Sequence, residues 1–144
     1  MTRMKLLSSL LALPVAFVAA GVAVAADSVA DRAPRDKKPP ELRIAVTPAV
    51  LTNPNGRLRP IEVSGEAEDD NEIEKLYLAS VESDERGGRH DIAGERIRSF
   101  DTDLLLRAER AKNGNGRTYR LTYVAVDTTG NRATDTATVT VPVD

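Results

Sequence analysis

Three aspartates in two polar clusters are the residues of this 144-residue chain whose types and spacing best suit chemistry. Asp69 and Asp70 open the run Asp69-Asp70-Asn71-Glu72, and Asp127 opens Asp127-Thr128-Thr129-Gly130-Asn131. Carboxylates and side-chain amides are hard oxygen donors, and calcium takes about six to eight of them. Asp69, Asp70 and Asp127 are therefore the candidate calcium ligands, provided the fold brings the two clusters together, with Glu72 and Asn131 beside them. Asp127 has a second use that needs no metal. It can accept backbone N–H groups across its own turn while Gly130 takes the positive φ of a bulged hairpin. No other cofactor is implied.

The remaining candidates point away from catalysis. His90 is the only histidine and lies in a Gly- and Arg-rich stretch that reads as a loop. Nothing resembles a nucleophile elbow or a zinc motif. The chain is read as a protein that is not an enzyme. A sugar-binding aromatic platform is disfavoured as well. There is no Trp, and Tyr119 and Tyr123 fall on the apolar face of their strand. Arg107, Arg110, Arg117 and Arg120 are interleaved with carboxylates or Thr, the pattern of a solvated strand face rather than a nucleic-acid stripe. Cross-strand ion pairing is the expected use of Arg107, Glu109 and Arg110.

The elements that must position these residues are strands. Leu42, Ile44 and Val46 share one face before Pro48 and the run 52–56 break the chain. Ile61, Val63 and Ala67 point inward and Glu62, Ser64, Glu66 and Glu68 outward. Residues 75–83 carry Leu76 and Leu78 on one face and Tyr77, Ala79 and Val81 on the other, which suggests a central strand. Ile92 and Ile97 each suggest a short edge strand, and Gly87-Gly88 a turn. Leu104, Leu106 and Ala108 alternate with Leu105, Arg107 and Glu109. Tyr119, Leu121, Tyr123 and Ala125 share a face, as do Ala137, Val139 and Val141. Thr136, Thr138 and Thr140 make the solvated side of the last strand. No helix is expected, and the class is all-β.

The N-terminus reads differently. Arg3 and Lys5 precede an apolar run at 6–20, and Ala23-Val24-Ala25 gives the small-x-small pattern of a signal-peptidase site. Residues 1–25 are expected to be a signal peptide, so no stable membrane insertion follows its cleavage, and the protein is exported to the periplasm or the medium. Removing Arg3 and Lys5 from the 20 basic residues leaves 18 against 22 acidic ones, a formal charge of −4. That balance gives no general case for nucleic-acid binding. Residues 26–40 are polar, charged and Pro-containing, and read as a disordered linker. The mature part, about 118 residues without Cys, suits one domain at 41–144 with an adequate core and no disulfides.

Several segments, in order, resemble a known family. They are TPAVL with NPNGRLRPIEV, then LASVESDE, DIAG, LRAER with NGNGRTY, and YVAVDTTGNRATDTATVTVP. Together they are similar to bacterial immunoglobulin-like domains related to hyalin-repeat, PKD and cadherin-like modules, over residues 41–144. The resemblance implies an immunoglobulin-like antiparallel β-sandwich of about seven strands. In that topology the loops after the second and sixth strands lie at one end, which would bring Asp69, Asp70 and Glu72 toward Asp127 and Asn131. Residues 113–116 would then arch between sheets, and Tyr119 or Tyr123 would be either a corner tyrosine or a plain core residue. The resemblance implies a spacer or adhesion role and no reaction. The expected function is an exported, non-enzymatic interaction module whose partner is an extracellular or envelope protein. The alternative is a small secreted or periplasmic inhibitor that docks its loops into a hydrolase.

Overall fold

A computed structural model describes residues 35–87 and 90–143. The expected signal peptide at 1–25, most of the expected linker and Gly88 of the expected turn lie outside the described residues. Seven strands follow one another: β1 Glu41–Thr47, β2 Leu58–Glu68, β3 Ile73–Ser83, β4 Ile92–Ala93, β5 Asp103–Arg107, β6 Arg117–Asp127 and β7 Arg132–Val141. They form two antiparallel sheets, in the orders β1-β2-β5-β4 and β3-β6-β7. No helix occurs among the described residues, so none there is long and apolar enough to cross a membrane.

The period-2 patterns fill the space between the sheets. Ile61, Val63, Leu104 and Leu106 come from one sheet, and Leu78, Leu121, Tyr123, Val139 and Val141 from the other. Each such side chain contributes about 1.5–3 kcal/mol on full burial. After β1 the chain passes a cis Thr47-Pro48 bond and crosses to β7. Leu51 N donates to Thr140 O at 2.7 Å, which seats Leu51 in the core. Tyr119 and Tyr123 reach across from β6, and their hydroxyls donate to the carbonyls of Arg107 and Asp101. Both tyrosines therefore tie to the chain of the opposite sheet, Tyr119 at the end of β5 and Tyr123 just before it, so neither is a plain core residue.

Two expectations need correction. β3 is an edge strand, not a central one. Its register shifts between Leu78 and Ser80, and the extra residue turns Val81 inward to pair with Leu121. The bulge explains why both parities of this strand are apolar. The free side of β3 is covered at Leu78, whose N–H and C=O bond Ser99 O and Arg98 N. Ile97 lies in the turn that provides this cover and is exposed, so only Ile92 of the two isoleucines sits in a strand.

Residues 117, 119, 121, 123, 125 and 127 form the inward face of β6, and all six are buried. That row begins with Arg117 and ends with Asp127. At about 3.3 Å per residue the two charges stand roughly 33 Å apart, at opposite ends of the sandwich.

Candidate metal centre

The Asp127 end is built by a tight turn. Asp127 is fully buried, and its Oδ1 accepts hydrogen bonds from Thr129 N, Thr129 Oγ1 and Asn131 N, each at 2.8 Å. Oδ2 accepts from Asn131 Nδ2, also at 2.8 Å. Gly130 closes the turn with φ of 92°. Burial alone would raise the Asp127 pKa, but the donors of Asn131 and Thr129 outweigh it and hold the carboxyl down at about 2. Asp127 is therefore a fixed carboxylate at neutral pH.

The loop after β2 meets this turn. Thr128 N donates to Glu72 O at 3.0 Å and ties the two loops together. Asp69 lies beneath. Its Oδ1 accepts from Asp70 N at 2.8 Å, and its Oδ2 is buried with no hydrogen-bond partner. Such an atom has lost water and gained nothing, an arrangement that a cation would relieve. Asp70 instead points outward to Lys38 Nζ at 2.9 Å. That contact, opposed in part by desolvation and aided by Asp69 and Asp36, raises the Lys38 pKa. Glu72 contributes its backbone carbonyl, and its side chain is exposed.

A third segment completes the group. Asp36 and Lys38, which the sequence placed in the linker, are held against the two loops. The Asp36 and Lys38 carbonyls both accept from Asn131 Nδ2, at 3.2 and 3.0 Å. Asn71 Nδ2 donates to Asp36 Oδ2, and Pro40 is buried. One carboxylate oxygen each of Asp36, Asp69 and Asp127 then lies within 4.8 Å of the other two. The fold thus brings together Asp69 and Asp127, leaves Asp70 on the rim, and adds Asp36. No sequence signal marked Asp36, because a carboxylate in a charged linker looks like solvation. Carboxylate oxygens are the donors calcium takes; Asp127 already accepts four hydrogen bonds, and Asp69 Oδ2 is the one carboxylate oxygen of the three residues without a partner.

The other end of β6 holds a second cluster. Arg117 is 4% exposed. Its NH1 donates to Asp91 Oδ2 at 3.1 Å and to Tyr119 OH at 2.9 Å, and its guanidinium lies 5.5 Å from the Tyr119 ring centroid. Arg107 grips the same carboxylate from the far side, Nε to Asp91 Oδ1 at 3.0 Å, and its NH1 and NH2 donate to the carbonyls of Gly56 and His90. The β4–β5 register places Asp91 opposite Arg107, so this is the cross-strand ion pairing expected for Arg107; Glu109 Oε2 also lies 4.0 Å from its Nε. Glu85 Oε2 stands 3.4 Å from Arg117 Nε, an ion pair without a hydrogen bond. A cleft of about 350 Å³ opens beside it between Glu85, Asp91, Arg110 and Arg117. Cation and carboxylates are balanced there, and the cluster reads as a structural clasp. Glu85, Asp91, Arg107 and Arg117 lie in LASVESDE, DIAG, LRAER and NGNGRTY, in that order.

Set beside protein families, curated proteins and solved structures, the chain matches none of them.

Proposed function

We propose that the chain is an exported, non-enzymatic interaction module of immunoglobulin type, with a calcium site at one end of its sandwich. The strand orders β1-β2-β5-β4 and β3-β6-β7 support the first part. They correspond to the ABED and CFG sheets of a constant-type immunoglobulin domain. The sequence features of residues 1–25 support export. Such modules act by presenting a surface, and the partner is an extracellular or envelope protein.

The observation that carries the calcium reading is the Asp36, Asp69 and Asp127 group with its orphaned Asp69 oxygen. Hard carboxylate oxygens without nitrogen or sulfur donors favour calcium or magnesium over transition metals. Magnesium demands tighter octahedral geometry, so a site of carboxylates from three separate segments suits calcium. An ion that binds only the folded state stabilises it by about 2.7 kcal/mol at one hundred times Kd. Extracellular modules bind in the range of about 10⁻⁴ to 10⁻³ M. Calcium at about 10 mM should therefore raise the melting temperature of the wild type, and magnesium should do so less. Asp69→Asn removes a ligand without breaking a hydrogen bond of Oδ2, and should abolish the rise. A wild-type melting temperature that ignores calcium would refute the site.

A further inference from the structure

We infer that Asp135 guards the free edge of β7 and keeps that edge from pairing with β7 of a second copy of the chain. β7 lies at the outside of its sheet, with β6 on one side only. Its residues 136–141, TATVTV, carry no charge and are β-branched at every position but Ala137. An uncharged run of this kind on an open strand edge is a template for another strand. The pairing with β6 runs without a register shift from Arg132 to Val141. Alternate residues of β7 therefore turn their N–H and C=O groups to the free side. Thr140 shows which ones. Its N–H donates to Ala49 O at 2.9 Å, and its C=O accepts from Leu51 N at 2.7 Å. That crossing segment covers one end of the edge. Thr134, Thr136 and Thr138 have the parity of Thr140, and no backbone segment bonds them from the free side among the described residues.

Asp135 covers this half instead. It stands opposite Tyr123, in the inward row of β7 that continues with Ala137, Val139 and Val141, and is half-buried there. A charge in that row breaks the apolar pattern, and inward-pointing charges are one way in which natural edges are blunted. Both of its hydrogen bonds come from backbone N–H groups. Oδ1 accepts from Thr136 N at 2.9 Å, and Oδ2 accepts from Ile44 N at 2.7 Å. Thr136 is the middle of the open half of β7, and Ile44 belongs to β1, the edge of the other sheet. One side chain thus occupies both edges where they face each other. The residue type matters, because an ionised carboxylate accepts at both oxygens and donates nothing, whereas an amide would set its NH2 against one of the two N–H groups. A strand added to β7 would take the Thr136 N–H and leave a half-buried carboxylate oxygen without its donor, a costly exchange.

The mature chain carries the test. Asp135→Val removes both acceptors and continues the apolar row. In sedimentation velocity the wild type should run as a monomer, and Asp135→Val should form dimers or larger species at the same concentration. Thr138 is exposed on the same edge, and adding Thr138→Lys should return Asp135→Val to the monomer. Circular dichroism separates folded association from unfolding; where Asp135→Val loses its sheet signal, Asp135→Asn replaces it in the same pair of measurements. A folded variant that stays monomeric overturns the guard. Association that Thr138→Lys leaves unchanged overturns it too, because the contact then lies elsewhere. Hydrogen exchange reads the wild type by itself. The Thr136 amide should exchange several-fold more slowly than those of Thr134 and Thr138, and equal rates for the three would show that the carboxylate does not hold the edge.

Discussion

The inward face of β6 begins with a buried cation and ends with a buried carboxylate, and the two ends satisfy their charges by different routes. Asp127 draws its donors from Thr129 and Asn131, two and four residues along the chain. Those bonds form as the turn forms. Arg117 depends on Asp91, 26 residues away in a connection of the other sheet, and on Tyr119. That pair exists only once both sheets have closed. A charge satisfied within one turn is settled before the sheets meet, whereas a charge satisfied at long range is committed to holding the sheets together. The same strand thus carries a candidate binding end and a structural end.

The sharpest break of this contrast is at the Arg117 end. Removing one partner of a buried ion pair typically costs about 3–5 kcal/mol, a large share of a total stability of about 5–15 kcal/mol. Asp91→Ala should fall in that range, since it leaves Arg117 with Tyr119 OH and a Glu85 oxygen at 3.4 Å. Arg117→Met should cost somewhat less, because Asp91 keeps Arg107. The double variant should cost less than the sum, as expected for coupled neighbours. Gly87→Ala reaches the same cluster through the backbone. A Cβ there would fall 1.3 Å from Asp91 Oδ2 and evict the carboxylate. Urea unfolding of the four variants measures this. A loss near zero for Asp91→Ala would show that the clasp holds nothing.

Acid separates the two ends in a different way. The Asp127 pKa is held at about 2 in the folded protein, against about 3.9 for an unperturbed aspartate. The folded state therefore binds the proton more weakly than the unfolded chain. The stability that Asp127 contributes is fully present above about pH 4 and is lost as pH falls toward 2. Burial is the largest single influence on Arg117 and lowers its pKa, but Tyr119, Asp91 and Glu85 together outweigh it and raise the pKa, so Arg117 stays charged throughout. In calcium-free buffer the urea midpoint of the wild type should decline between about pH 4 and pH 2, and the decline should be shallower in Asp127→Asn. Parallel curves would show that the turn's donors do not discriminate the charged form.

The local end was also the legible one. Asp127, Asn131 and Gly130 sit within one short run, so their residue types reveal the turn, and the period-2 rows of β1, β2, β6 and β7 reveal their inward faces, that of β1 only partly buried. The rest was set by contacts between distant segments. Nothing in 75–83 announces the bulge that turns Val81 inward, because a bulge is a property of the pairing with β6. Both faces of β3 are apolar, but the pattern does not say whether a strand or a turn such as 98–99 covers its free side. Arg117 has the parity of the inward row of β6 but not its apolar character, Asp91 lies outside any strand, and their partnership shows only when the two sheets meet. Asp36 belongs to the same class: a linker residue becomes a candidate ligand only through the loop it lands on.

The smallest expected effect tests whether the turn at the Asp127 end is scaffold or site. Gly130 has φ of 92°, and a Cβ at that position would meet nothing within 4 Å. Gly130→Ala therefore carries conformational strain and no collision, and should cost about 1 kcal/mol. Collision is what makes Gly87→Ala the larger loss, so the two glycines measure how much each end tolerates. The Thr129 and Asn131 donors survive if the backbone keeps its path, and the calcium-induced rise in melting temperature should then be preserved in Gly130→Ala. A destabilisation matching that of Gly87→Ala would mean that the turn cannot hold Asp127 without glycine. A modest loss accompanied by a vanished calcium response would mean that the turn's exact path sets the ligand geometry, and that Asp127 is placed for the ion as much as for the fold.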